Sequence, residues 1–262
     1  MYKIKKGSDC LQYQGGKSRI AKPISEVIIN EVSRWKVKDS ESVSDCNRKM
    51  GGSNQTFVSL FCGSCAVEAK LAPHFDRVIC NDKHEYLIEM LKGVQNGYEL
   101  PEHISEEEYR YIKYHKDEDK VLTGFVGFGC SFGGRFFEGY ARNKEHTNYA
   151  SQSKRSLLKD MANLKNAEFS CLDYKDVIIP DNSIVYADPP YFGTKPIHNQ
   201  KFDSEAFWEY MRQISKYNQV FISEQTAPDD FECIWEKPFT RTLDRNKDNQ
   251  FKVVEKLFTY KK

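Results

Sequence analysis

The sequence predicts an α/β fold in which strands and helices alternate, and three observations predict it. Short runs rich in β-branched and aromatic residues recur at 57–61, 77–80, 184–187 and 219–223, with the length and composition of buried strands. Helical stretches follow the first two runs, from Ala66 with Val67 and Leu71 inward, and over 85–96. Between the first strand and its helix lies Cys62-Gly63-Ser64-Cys65, a turn of small residues that lets a ligand approach the backbone and the helix N-terminus.

At 262 residues the chain is one large domain, or one domain carrying an insertion. Aromatic residues make up 13% of it, enough for a core despite the negative mean hydropathy. The formal net charge of +1 provides no general attraction for a polyanion, so any basic surface must come from local segregation. No apolar run approaches the roughly 20 residues that span a bilayer, and residues 1–12 lack the apolar stretch of a signal peptide. Eight scattered cysteines fit the reduced thiols of a cytoplasmic protein.

In chain order, Tyr13-Gln14-Gly15-Gly16-Lys17 opens a helix with Ile20, Ile24, Val27, Ile28, Val32 and Trp35 on one face. A glycine loop with a lysine at a helix start is either an anion site or a turn with a solvated lysine. The nucleotide-binding pattern G-x-x-x-x-G-K-[ST] fails, because its first glycine is Leu11 here. Residues 36–56 are polar and read as a mobile connection. Cys62 and Cys65 make a C-x-x-C, the redox signature in a strand-turn-helix setting. Asp82 ends the second strand about 20 residues after the glycine turn, where Rossmann-like folds hold a ribose; its plainer role is a helix cap.

From 97 to 166 the alternation stops. Residues 101–120 read as one charged helix, and 124–143 mix glycines with Phe125, Phe128, Phe132, Arg135, Phe136, Phe137, Tyr140 and Arg142. Exposed aromatics among arginines suit base stacking and phosphate contact; a packed, glycine-kinked subdomain is the alternative. Helix returns over 151–164, and strand at Phe169 and Ser170, ending in Asp173-Tyr174. The strand at 184–187 runs into Asp188-Pro189-Pro190-Tyr191. Two prolines stop the strand and fix the exit of the chain, holding Asp188 where open α/β sheets place ligands. An acceptor beside the Tyr191 ring suits a planar base with an exocyclic amine; taken alone, the motif is as well read as a proline turn. Asp203 caps a helix over 204–217, and residues 251–260 form a last strand, pairing antiparallel at the end of the sheet.

Taken together, Tyr-x-Gly-Gly-Lys, Phe-x-Gly, Asn-Asp, Leu-Asp-Tyr and Asp-Pro-Pro-Tyr follow one another in an order that resembles the Dam-type DNA adenine-N6 methyltransferases, especially the small phage and prophage versions. The resemblance covers nearly the whole chain and implies a Rossmann-like, S-adenosylmethionine-dependent fold with a mostly parallel sheet, a terminal antiparallel strand and a mainly helical target-recognition insertion. It implies a catalytic domain over 1–96 and 167–262, with the insertion at 97–166. Tyr13 and Lys17 would lie at the cofactor's methionine end, Phe61 and Gly63 along its turn, Asp82 on its ribose, and Asp173 and Tyr174 about its adenine. Asp188, Pro189, Pro190 and Tyr191 would hold the target base, with Arg135 and Arg142 as DNA contacts. The substrate would be double-stranded DNA in the cytoplasm of a bacterial or phage-infected cell, within or apart from restriction-modification. One departure stands out: the family's Phe-x-Gly-x-Gly has Cys65 at its last position.

The chemistry needs no metal, and no His, Cys or acidic spacing makes a metal site. Cytosine-N4 DNA or adenine-N6 RNA methylation, a silent nucleic-acid-binding relative and a thioredoxin-like oxidoreductase are the competing readings. Cytosine-N4 enzymes more often carry serine in place of Asp188, and the redox reading explains neither Lys17 nor Asp188.

Overall fold

The apolar runs form strands close to where the sequence places them. The computed structural model describes residue 13 and residues 16–41, 55–190, 202–242 and 250–261. Helix α1 (Ala21–Glu41) leads into β1 (Thr56–Ser59), the short α2 (Glu68–Leu71), β2 (Arg77–Asn81) and α3 (Glu85–Gln95). Helices α4 (Glu106–Tyr114), α5 (Lys120–Gly129) and α6 (Tyr149–Met161) precede β3 (Glu168–Ser170) and β4 (Ile184–Ala187). Then come α7 (Ser204–Ser215), β5 (Gln219–Glu224), β6 (Phe231–Thr242) and β7 (Gln250–Tyr260).

The strands make one sheet in the order β3-β2-β1-β4-β5-β7-β6. β1 pairs parallel with β2 on one side and β4 on the other; β2 with β3 and β4 with β5 are parallel too. β7 is antiparallel to both β5 and β6. The expected antiparallel strand is therefore present, but it lies inside the sheet, between β5 and β6. β6 has no counterpart in the sequence reading. Pro238 lies within it, and a proline argues against a central strand but is tolerated on an edge, which is where β6 runs.

Side chains alternate across the sheet. Phe57, Cys80, Ile184, Tyr186, Phe221 and Leu257 face a core shared with α1, α3 and α5, while Val58, Ile79, Val185, Val220, Ile222 and Phe258 face Phe207 and Met211 of α7. As expected, Asp203 caps α7, its Oδ1 accepting from Ala206 N at 3.0 Å.

Three expectations need correction. α1 runs on to Glu41, into the stretch read as a mobile connection; residues 36–41 contain neither glycine nor proline to stop a helix, and 42–54 lie outside the described residues. The single charged helix over 101–120 is two helices: α4 begins at a capping box of Ser105 and Glu108 and stops at Tyr114, and Asp119 caps α5. The aromatics of 124–143 are mainly core. Phe125, Phe128 and Phe137 are buried, Phe136 and Tyr140 pack against them, and Phe132 alone of the six is exposed. The glycines explain the packing. A Cβ on Gly124 would sit 2.0 Å from the Tyr86 carbonyl oxygen of α3, and one on Gly127 would sit 2.3 Å from the Phe136 ring. The core beneath the sheet continues through these contacts into α4, α5 and α6.

Gly124→Ala is expected to force α3 and α5 apart, at a cost of about 1–3 kcal/mol for overpacking. Thermal unfolding checks it: a melting temperature equal to the parent's would show that the helices tolerate a methyl group at this crossing.

Candidate active site

Every sequence-predicted cofactor or base residue that is described follows the carboxyl end of a strand or borders the turns there. After β1, Gly63 takes φ +49°, and a Cβ on it would meet the Tyr13 ring at 3.1 Å. Asp82 follows β2 and ties two turns together: Gly63 N donates to its Oδ2 at 3.0 Å and His84 N to its Oδ1 at 2.9 Å. Asp82 is not the cap of α3; His84 is, its ring nitrogen accepting from Leu87 N. A carboxylate has about four acceptor positions, and each Asp82 oxygen accepts one of these backbone hydrogen bonds.

After β4, Asp188 meets Lys17. The buried ammonium lies 2.7 Å from Asp188 Oδ1 and 3.7 Å from Glu255 Oε2. Tyr13 packs on Phe128 with ring centroids 5.1 Å apart. Its hydroxyl is pushed well above the ordinary tyrosine range by burial and then by Asp82, Cys62 and Asp188. The structure thus brings Tyr13, Lys17, Gly63, Asp82 and Asp188 into one electrostatic neighbourhood. Pro189 and Pro190 leave β4 beside it; Tyr191 lies outside the described residues, as does Gly15.

Phe61 and Tyr174 come together with ring centroids 5.3 Å apart, in a cluster with Phe207. Tyr174 is pushed up to about 12, by burial first and then by Asp173. Burial raises Asp173 as well, but Lys83 Nζ at 3.0 Å and the Lys175 amide outweigh it and hold the carboxyl below its usual range. Arg135 and Arg142 are exposed. Arg135 pairs with Glu138 at 3.3 Å, and Arg142 with Glu106 at 2.9 Å.

Two buried carboxylic acids beside Lys17 and Asp188, Glu68 and Glu255, escaped the sequence reading. Glu68, which opens α2, accepts from Ser59 Oγ at 2.7 Å, and burial pushes it up to about 8. Glu255 is 1% exposed. The available signal was period two along β7, which sets Glu255 on the same face as the fully buried Leu257.

The C-x-x-C thiols are poor nucleophiles. Burial pushes Cys62 up to about 12, and hydrogen bonding with Cys62 and Cys80, then burial, raises Cys65 well above its ordinary value. Cys65 instead does the backbone work of the missing glycine, adopting φ +59°.

The residues fit S-adenosylmethionine. Asp82 offers acceptors for a ribose diol, and the Phe61–Tyr174 pair offers aromatic edges. The Ser64 hydroxyl, in the turn between them, is buried without a hydrogen-bond partner among the described residues. No group of three or more metal-ligating side chains occurs among the described residues, and no described helix is long and apolar enough to cross a membrane.

The family model of the D12 class N6 adenine-specific DNA methyltransferases matches residues 13–123 and 131–227. The chain belongs to that family. It is a DNA adenine-N6 methyltransferase, and its methyl donor is S-adenosylmethionine. Among solved structures it is similar to a precorrin 8w decarboxylase from Methanobacterium thermoautotrophicum (12% identity, 80% of this chain and 83% of that one, TM-score 0.35). It is also similar to the tRNA (m1A58) methyltransferase TrmI of Aquifex aeolicus (13%, 79% and 62%, 0.34). A third is a predicted N6-adenine-specific DNA methylase from Listeria monocytogenes (12%, 98% and 53%, 0.35). At these identities and scores, membership of the D12 class rests on the family match.

Because a β-branched residue is a true outlier at positive φ, Cys65→Val is expected to destabilise the methyltransferase by about 2 kcal/mol. Cys65→Gly should change stability by less than about 1 kcal/mol, the relieved strain offsetting the lost packing. Thermal unfolding of the two variants checks this, and equal melting temperatures would contradict a left-handed backbone at position 65.

Proposed function

We propose that the D12 enzyme methylates a specific adenine in double-stranded DNA after extruding it from the helix, with Asp188 as the catalytic carboxylate. The observation carrying this reading is that Asp188, Lys17, Gly63 and Asp82 gather at the carboxyl ends of β1, β2 and β4, the ligand edge of an open α/β sheet. An adenine inside a duplex hides its N6, so extrusion is required.

When bound, S-adenosylmethionine supplies a methyl group on a sulfonium, whose leaving group is a neutral thioether. The Asp82 carboxylate holds the ribose hydroxyls, and Tyr13 closes over the Gly63 turn. Phe61 with Asp173 and Tyr174 receives the adenine of the cofactor. Tyr191 stacks on the extruded base. Asp188 accepts one N6 hydrogen and the Pro189 carbonyl the other, which aims the nitrogen lone pair at the methyl. Positive charge develops on N6 in the transition state, and a preformed carboxylate stabilises it. Holding both reactants in line contributes much of the remainder. The extra N6 proton then leaves along the hydrogen bond to Asp188.

Residues 97–166 are proposed as the target-recognition region, with Arg135 and Arg142 on its exposed surface. Their acidic partners are surface ion pairs, worth about 0–1 kcal/mol each, so phosphates can displace them. The resemblance to small phage and prophage enzymes supports action on cytoplasmic DNA of a bacterial or phage-infected cell, within or apart from restriction-modification.

Transfer of labelled methyl groups to duplex DNA tests the reading. Asp188→Ala is expected to lower the rate by at least about 100-fold with cofactor affinity unchanged, whereas Asp82→Ala should weaken cofactor binding about 10- to 100-fold. Substantial transfer by a folded Asp188→Ala protein would refute the assignment. Arg135→Ala or Arg142→Ala, if the side chain contacts phosphate, should weaken binding to all sequences and lower the salt slope by about one unit. A base-reading arginine would instead relax discrimination at one position by about 1–3 kcal/mol. Titrations of target and scrambled duplexes at several salt concentrations separate the two, and no change in either variant would move the recognition surface elsewhere.

A further inference from the structure

Glu255 lies in β7, far along the chain from every motif that carries the methyltransferase reading. Its carboxylate is 1% exposed, and its Oε2 lies 3.7 Å from the Lys17 ammonium, which also lies 2.7 Å from Asp188 Oδ1. One buried cation therefore sits between two carboxylates contributed by different strands.

The lysine has two opposed effects on Asp188. By engaging Oδ1 at 2.7 Å it fixes the orientation of the carboxylate. Its positive charge, however, sits beside the position where positive charge must grow on N6, and like charges repel strongly where water is excluded. A neutral Lys17–Asp188 pair would be a weak partner for a cationic transition state. Glu255 changes that balance: a second carboxylate 3.7 Å from the ammonium offsets the charge that Lys17 brings to Asp188. Nearby Glu68, pushed up to about 8 by burial, is mostly a neutral acid near pH 7 and leaves that balance intact. Tyr186, the strand residue two before Asp188, has its hydroxyl engaged with Ser223 at 2.9 Å and stays protonated.

We infer that Glu255 is a positioning residue for methyl transfer, cancelling the charge of Lys17 so that the lysine can fix Asp188 without opposing the cation that forms on the target nitrogen. The inference rests on the assignment of Asp188 as the catalytic carboxylate.

Single-turnover transfer to a duplex, with 2-aminopurine at the target position in a parallel binding assay, tests it. Glu255→Gln is expected to slow the chemical step about 10- to 100-fold, while cofactor affinity and the fluorescence change of base extrusion stay within about twofold. Glu255→Asp, which keeps the charge, should recover most of the rate. The decisive variant is Lys17→Met combined with Glu255→Gln. With both charges gone, it should transfer faster than Glu255→Gln alone. A purely structural Glu255 would lower the melting temperature without altering the rate of the folded protein, and its combination with Lys17→Met would be no faster. Either result overturns the inference. If Glu255→Gln does not fold, the double variant is compared with Lys17→Met, whose two facing carboxylates would share a proton; a double variant that is no faster overturns the inference equally. Asp188→Ala in the same assay separates the two levels. Activity there refutes the catalytic assignment itself, whereas loss of activity there with an unaffected Glu255→Gln refutes only the role of Glu255.

Discussion

The double pairing of β1 is the constraint on which the rest depends. It is parallel to β2 on one side and to β4 on the other, so the connections leaving β1 and β4 diverge and open a crevice at their carboxyl ends. The Cys62–Cys65 turn, Asp82 and Asp188 are all on that edge because their strands run the same way. Asp82 then fastens two of the turns with backbone hydrogen bonds, giving the crevice a fixed wall before any ligand arrives. A carboxylate already held by amide donors needs little reorganisation when it receives hydroxyl groups.

The helical segment between α3 and β3 is bound to this frame more tightly than an appended module would be. Gly124 lets α5 cross α3 at backbone contact, and Tyr13, beside the glycine turn, packs its ring on Phe128 of α5. A shift of α5 would therefore reach the Gly63 turn through a single aromatic contact. This places the proposed recognition surface and the proposed methyl-donor site within one packed unit and gives a physical route for coupling between them.

What the sequence made legible was local. Asp188-Pro189-Pro190, Gly63 and Asp82 are recognisable because each depends on its own backbone: prolines that end a strand, a glycine at positive φ, an acid at a strand end. What remained hidden depends on distant partners. β6 had no reading in the sequence; its Pro238 is acceptable only on an edge, and edge position is a property of the finished sheet. The aromatics of α5 resembled a stacking surface because nothing in their own order reveals that α3 covers them. Cys65 looked like a flaw in the turn, yet its backbone supplies the left-handed conformation a glycine would have given. Glu255 carries the charge of an ordinary surface residue, and only its register with Leu257 turns it inward.

The lysine cluster has a consequence for how the protein comes into being. Lys17 precedes the first strand, Asp188 follows the fourth, and Glu255 lies in the seventh. The contact between Lys17 and Glu255 joins the stretch before the first strand to the seventh strand, and contacts of such long separation form late because their entropy must be met before they return any energy. During synthesis, β1 to β5 can assemble while β7 is still within the ribosome. The charge cluster of Lys17, Asp188 and Glu255 is therefore complete only once translation has passed β7.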